Sequence, residues 1–199
     1  ALGLVALLGW LLDLKLLQSL LPGAATMKPN TALCVILLAA ALRFDLRATR
    51  ASAASRPWTT WACTAAGLGI ALATFLEYAW GRNFGFDTWL FPESVRAAGS
   101  DFPGRMSHAT ATGFLLIGLG LLGLDWQVRG RKPGQFLALA GALIGYIALA
   151  GYAFGAHALY AERWFSSVSL PTAVMLFSLG LGVLCLRPDQ GIMAAINHV

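Results

Sequence analysis

The side chains with chemistry to offer are few, and they stand at the ends of apolar runs. Asp13 and Glu77 close two such runs, Asp87 follows in a polar connection, and Arg105 comes just ahead of the next run. Glu77, Asp87 and Arg105, with Trp80, Trp89 and His108, are the groups that would line an outward-facing pocket for a small ligand. The competing reading is that the same charges sit at an interface and hydrogen-bond loop N–H groups. An ionisable group in an apolar span carries a functional hypothesis by default, because burying it is costly. His108 and His157 suggest a second chemistry: neutral imidazoles, with Met27 and Met106 near equivalent helix starts, could ligate haem iron or copper. Their spacing matches no metal motif, and a lone histidine at a helix start more often caps the helix or lines a loop. The sequence therefore requires no metal or other cofactor. Cys34, Cys63 and Cys185 lack C-x-x-C spacing and read as small packing residues. No Ser/His/Asp order, phosphate-binding glycine loop or catalytic carboxylate pair has a suitable context, so the chain reads as non-enzymatic.

The elements that must position these groups are apolar helices. Of the 199 residues 58% are hydrophobic and 12% charged, and the mean hydropathy is +0.69; soluble domains carry about 25% charged residues. The length allows roughly six spans of ~20 residues. They are predicted in the first run ending near Trp10 to Asp13, then over Pro29 to Leu46, Trp58 to Trp80, Ser107 to Leu124, Gln135 to Phe154 and Leu170 to Leu186. The first run has no basic segment ahead of it and no clear cleavage site after it, so it does not read as a signal peptide. LKLLQSLL after Asp13 suits an interface, with Lys15 snorkelling. The connection from 82 to 105 is polar yet holds several aromatic residues, and a short interfacial helix is expected there.

One stretch recurs. Met27 to Leu42, Met106 to Leu121 and Val168 to Val183 each place a small polar cluster before Thr-Ala (Thr31-Ala32, Thr110-Ala111, Thr172-Ala173) and then a mostly apolar run. Ser107, Ser169 or Asn30 can cap the helix, and Pro29 or Pro171 suits its first turn. Ahead of each copy the previous run ends in an aromatic signature: Gly9-Trp10, Glu77-Tyr78 and Gly151-Tyr152. The units read as three parallel helical hairpins (1–50, 57–128 and 134–190) in a single all-α membrane domain over 1–199, six transmembrane helices with pseudo-threefold symmetry. The second copy departs most, with His108-Ala109 in place of Pro-Asn after the longest outer connection, and is the copy expected to be adapted for recognition. Gly141-x-x-x-Gly145 and Gly151-x-x-x-Gly155 read as sites of close helix packing within the chain rather than as a dimer face.

Charge sets the orientation. The connections after the second, fourth and sixth runs hold eight basic residues against Asp45, Asp125 and Asp189, so the whole net charge of +5 lies on one side. That side should be cytoplasmic, and the basic balance reflects topology and anionic lipid rather than nucleic acid.

GWLLDLKLLQSLLPGAATMKPNTAL, LEYAWGRNFGFDTWLFPE, GRMSHATATGFLLIGLGLL and the closing RPDQGIM together resemble the amino-terminal membrane region of bacterial sensor histidine kinases and diguanylate cyclases. The resemblance covers nearly the whole chain; SHAT at 107–110 departs from the S-P-N-T of that family. It implies a multi-pass sensory input module in the bacterial inner membrane, with its C-terminus cytoplasmic, a homodimeric or larger membrane assembly, and a PAS, kinase or GGDEF output expected downstream. A shift of the sixth helix would pass through RPDQGIM to that output. The rival class is a structural or cofactor-carrying subunit of a larger membrane complex, holding haem, quinone or pigment near His108 and His157.

Overall fold

A computed structural model describes residues 1–22, 24–51, 55–97, 103–155 and 168–197, and in it the chain is all-helical. The helices are α1 (Leu2–Leu11), α2 (Lys15–Ser19), α3 (Pro29–Arg50), α4 (Trp58–Trp80), α5 (Pro92–Ala97), α6 (His108–Leu122), α7 (Pro133–Ala153), α8 (Leu170–Cys185) and α9 (Gly191–Asn197), with one 3₁₀ turn at Phe86–Thr88. Among the described residues there is no strand, only an isolated bridge between Val128 and Arg131. The helix in the 82–105 connection is α5.

The helix starts follow local chemistry. Ser107 and Ser169 cap α6 and α8 by accepting from the backbone N–H of Thr110 and Thr172, and each serine hydroxyl also pairs with that threonine's hydroxyl. The third candidate cap, Asn30, does not act as one. Lys28 stands at that position without a side-chain bond, and Pro29, which needs no donor, opens the turn. The Asn30 amide is drawn away by a carboxylate of another element, as described below.

The connections from α1 to α3, from α4 to α6 and from α7 to α8 are each closed by the same kind of bond. The Trp10 indole N–H donates to the carbonyl of Met27 at 2.7 Å, the Tyr78 hydroxyl to that of Met106 at 2.9 Å, and the Tyr152 hydroxyl to that of Val168 at 2.9 Å. Met27, Met106 and Val168 are buried, so their carbonyls must be satisfied from inside. The aromatic residue supplies both that donor and the apolar bulk around it. α2 folds back on α1 in the same region, where the Gln18 side chain donates to Gly9 O and the Gln18 backbone carbonyl accepts from Met27 N.

Packing sets α3, α6 and α8 against one another, while α4 lies between α3 and α6, α7 lies between α6 and α8, and α1 rests on α3. α7 buries Gly134, Ala138, Gly141, Ala142, Gly145 and Ala148, and exposes Phe136, Leu143, Tyr146 and Ile147. Small side chains therefore face the neighbours and large apolar ones face outward. α4 and α7, with 23 and 21 residues, are long and apolar enough to cross a membrane. α1, α6 and α8 are apolar but shorter than the predicted runs. α6 stops at Leu122, with Gly123 as its C-cap and the Trp126 ring folded against that glycine, so its 15 residues span ~22 Å.

A Cβ on Gly145 would lie 2.5 Å from the backbone nitrogen of Phe177 on α8, and backbone cannot yield as a side chain can. On α4, a Cβ on Gly69 would meet nothing within 4 Å. Gly145→Ala should therefore lower the thermal midpoint through about 1–3 kcal/mol of overpacking. Gly69→Ala should raise stability by up to about 1 kcal/mol through helix propensity. Thermal unfolding of the purified variants checks both, and equal shifts would contradict the close α7–α8 packing.

Candidate functional site

The sequence-predicted Glu77, Asp87 and Arg105 come together at the Tyr78 end of the helices. Glu77 lies one turn before the C-terminus of α4, Asp87 in the 3₁₀ turn and Arg105 in the segment that leads into α6. Gly104 fixes that approach. It has φ +78°, and a Cβ there would run into the carbonyl of Asp87, so only glycine lets the two chain segments touch. Val95 of α5 is fully buried against the same glycine. Arg105 is thereby seated beside both carboxylates.

Its Nε lies 3.0 Å from Asp87 Oδ2 and 3.1 Å from Glu77 Oε2. The second Asp87 oxygen accepts from the Asn30 amide at 2.8 Å, and Glu77 Oε1 accepts from the backbone N–H of Phe84 at 2.7 Å. Arg105 Nη2 donates to the carbonyl of Arg82, and the guanidinium stands 5.3 Å over the Tyr78 ring. All three charged side chains are at most 3% exposed. They are held by one another, and their carboxylates are not displayed to solvent.

Two carboxylate oxygens converge on a single N–H, and Glu77 Oε2 is left without a well-aligned hydrogen bond. A proton held between the carboxyl groups would satisfy that oxygen. Burial first, and then the hydrogen bond with Glu77, push the Asp87 carboxyl up to about 7 against the opposing pull of Arg105. Near neutral pH the group is poised between neutral and net negative, and this is the chemistry the arrangement can perform.

The other candidates are placed differently. Trp80 and Trp89 are 64% and 83% exposed, and Trp80 meets Phe84 edge-on instead of the carboxylates. Neither ring lines the charged cluster. His108, the first residue of α6, stacks on Tyr78 with ring centroids 3.5 Å apart, so it belongs to the cluster's rim. His157 lies outside the described residues. Among the described residues no group of three or more His, Cys, Asp and Glu side chains is placed to hold a metal ion. Asp13 is exposed, in a left-handed turn with φ 53°.

A second cluster, at the opposite end, was missed in the sequence because Asp45 reads as a loop charge. Instead α3 runs on to Arg50, and Asp45 is 1% exposed. Its Oδ1 accepts from Arg56 Nε at 2.5 Å, and its Oδ2 lies 3.4 Å from Arg187 Nη1. Arg187 also grips Asp125 with two nitrogens, at 2.9 and 3.3 Å, and donates to Thr49 Oγ1 at 3.2 Å. Arg56 completes the ring through the carbonyl of Leu121. These groups enclose a polar cavity of about 170 Å³. Fully buried Gln135 holds the chain just beyond, donating to the carbonyls of Arg187 and Gln190 and accepting from the N–H of Ile192 at 2.7 Å.

No family model, curated protein or solved structure matches the chain.

The proton at Asp87 gives a pH dependence with a definite sign. In the unfolded chain this carboxyl ionises near its ordinary value of 3.8, and in the folded chain at about 7. Between those values the folded state binds the extra proton, so the stability this group contributes is full below about pH 4 and is lost as pH rises through about 7. The thermal midpoint of the purified chain should fall between pH 5 and pH 8. Asp87→Asn, which mimics the neutral form, should flatten that slope; an unchanged slope in the variant would place the titration elsewhere.

Proposed function

We propose that the chain is the membrane-embedded input module of a bacterial signalling protein, crossing the inner membrane with six helices arranged as three hairpins about a pseudo-threefold axis. It relays an event at the outer face or within the bilayer to a cytoplasmic output. Several features support the membrane reading. Small residues packed inward with large apolar residues outward are what helix association in lipid favours, since lipid gives no reason to bury a leucine. The three aromatic-to-carbonyl bonds support three equivalent hairpins, as does the mutual contact of α3, α6 and α8. The basic excess at the Asp45 end supports its cytoplasmic placement. Helices of 15 or 16 residues are short for a ~30 Å hydrocarbon layer, and local thinning or the flanking apolar turns make up the difference.

The observation that carries the signalling reading is the treatment of the exit. The segment Arg187–Ile192, which leaves the last long helix, is held by Asp45 and Thr49 from the first hairpin, Asp125 from the second and Gln135 from the third. A purely structural tail has no need of partners from every unit. An exit so held reports the relative positions of all three, and a stimulus that prefers one packing shifts the exit by its differential affinity.

Hydrogen exchange of the full chain in lipid nanodiscs tests this. Asp45→Ala, which leaves two arginines without a buried partner, should speed amide exchange over 187–197 by about tenfold or more, equivalent to at least ~1.4 kcal/mol. Asp87→Asn, at the far end, should also change exchange at the exit. If Asp87→Asn leaves the exit untouched while Asp45→Ala opens it, the cluster is a static clamp and the relay fails. The gene beyond Val199 should encode a PAS, kinase or GGDEF segment.

A further inference from the structure

Of the arginines at the Asp45 end, Arg56 and Arg187 are consumed by internal ion pairs. Arg129 and Arg131 are not: among the described residues neither has an ion pair or a side-chain hydrogen bond. They are nonetheless held in place. Val128 and Arg131 exchange two backbone hydrogen bonds of 3.0 Å across a two-residue turn whose centre is Arg129, with φ 50°, and Gly130, with φ 76°. Left-handed backbone at both central positions makes this a tight primed turn, for which Asn-Gly is the favoured pair. An arginine at the first position is locally unfavourable.

This turn forms one wall of a groove of about 660 Å³, whose other wall is Pro133, Phe136 and Leu137 at the start of α7. The groove opens onto the outward stripe of α7, where Phe136, Leu143 and Ile147 are exposed at helical spacing. Two uncommitted guanidiniums thus stand over an apolar slot that continues along the helix. A soluble anion would use the first and gain nothing from the second. A zwitterionic headgroup would bring its own cation against the arginines.

We propose that this groove binds an anionic phospholipid, its phosphate between Arg129 and Arg131 and an acyl chain laid along Phe136 and the stripe beyond. The site rests on the membrane reading and adds to it a ligand of defined chemistry at the inner leaflet. It also lies next to the exit clamp, since Asp125 and Gln135, which hold Arg187 and Ile192, flank the turn and the helix that form the groove.

The test is native mass spectrometry of the full chain in detergent, titrated with phosphatidylglycerol or phosphatidylcholine, for the wild type and the double variant R129N/R131Q. Asparagine suits the left-handed position better than arginine, so misfolding cannot imitate the result; thermal midpoints confirm this. The wild type should retain phosphatidylglycerol preferentially. The variant should bind it about 25-fold more weakly, some fivefold for each basic group near an anionic surface, with phosphatidylcholine retention unchanged. Equal phosphatidylglycerol retention by variant and wild type overturns the site. Displacement of the lipid by millimolar inorganic phosphate overturns the lipid assignment in favour of a simple anion site. Flotation with phosphatidylcholine vesicles separates the two levels: a wild-type chain that floats, together with equal phosphatidylglycerol retention by variant and wild type in the titration, defeats the groove alone. A wild-type chain that fails to float defeats the membrane reading and the lipid site together.

Discussion

Everything else in the fold depends on a donor carried by an aromatic ring reaching the carbonyl ahead of a buried helix. Trp10, Tyr78 and Tyr152 do this across 17, 28 and 16 residues, so the bond is indifferent to the length of the connection it closes. Its effect is on register. An outer helix and the helix that follows it can slide along each other at little cost when both faces are apolar and small. A single directional bond at one end removes that freedom, and leaving the buried carbonyl unpaired would cost about 1–3 kcal/mol. Once the register is set, Gly145 faces backbone of α8 and Gly180 faces Ala138 and Ala142 of α7. These contacts tolerate no added methyl group.

The charged groups obey the same geometry. Among the described residues the buried charges gather at the two ends of the bundle, each beside partners of opposite sign. Taking an ion out of water costs several kcal/mol even after relaxation, and the cost is offset only where partners are close and well aimed. The two ends solve this differently. At the Asp45 end two carboxylates meet two guanidiniums, and Thr49 and the carbonyls of Leu121 and Leu186 take further donors, while Arg56 Nη2 is buried without a partner. At the Tyr78 end two carboxylates share one guanidinium, and burial pushes the Asp87 carboxyl up to about 7.

How much of this could be read from the residues differs from feature to feature. The all-helical class follows from composition and apolar runs. The aromatic signature and the Thr-Ala starts are visible as types and spacing, yet the bond joining them needs coordinates. Asp45 had a legible signal: Cys34, Leu38 and Ala41 are buried at helical spacing, and the next step of that stripe is residue 45. Its neighbours Arg43 and Arg47 masked the pattern by suggesting that the helix had ended. Arg187 as a clamp was not legible, since its partners Asp45 and Asp125 lie 142 and 62 residues away. Trp80 and Trp89 were grouped with the carboxylates because they are close in the chain, but a helix end and a 3₁₀ turn point them outward. Asn30 looked like a cap, and the stronger pull of a carboxylate took it.

That last substitution of partners has a mechanical consequence. Because Asn30 binds Asp87 and not its own helix, the first turn of α3 belongs to the Tyr78-end cluster; fifteen residues later the same helix supplies Asp45, the hub of the other cluster. The separation is ~22 Å of continuous α-helix, with no proline after the first position and no glycine within it. Such a rod transmits displacement instead of absorbing it. Loss of a proton from Asp87 changes the charge facing both Arg105 and Asn30, and α3 meets that cluster at one end and Arg187 at the other. Coupling between distant sites requires an element that both of them bias. In this protein α3 touches both clusters through named contacts, and it is the element through which the proposed relay would act.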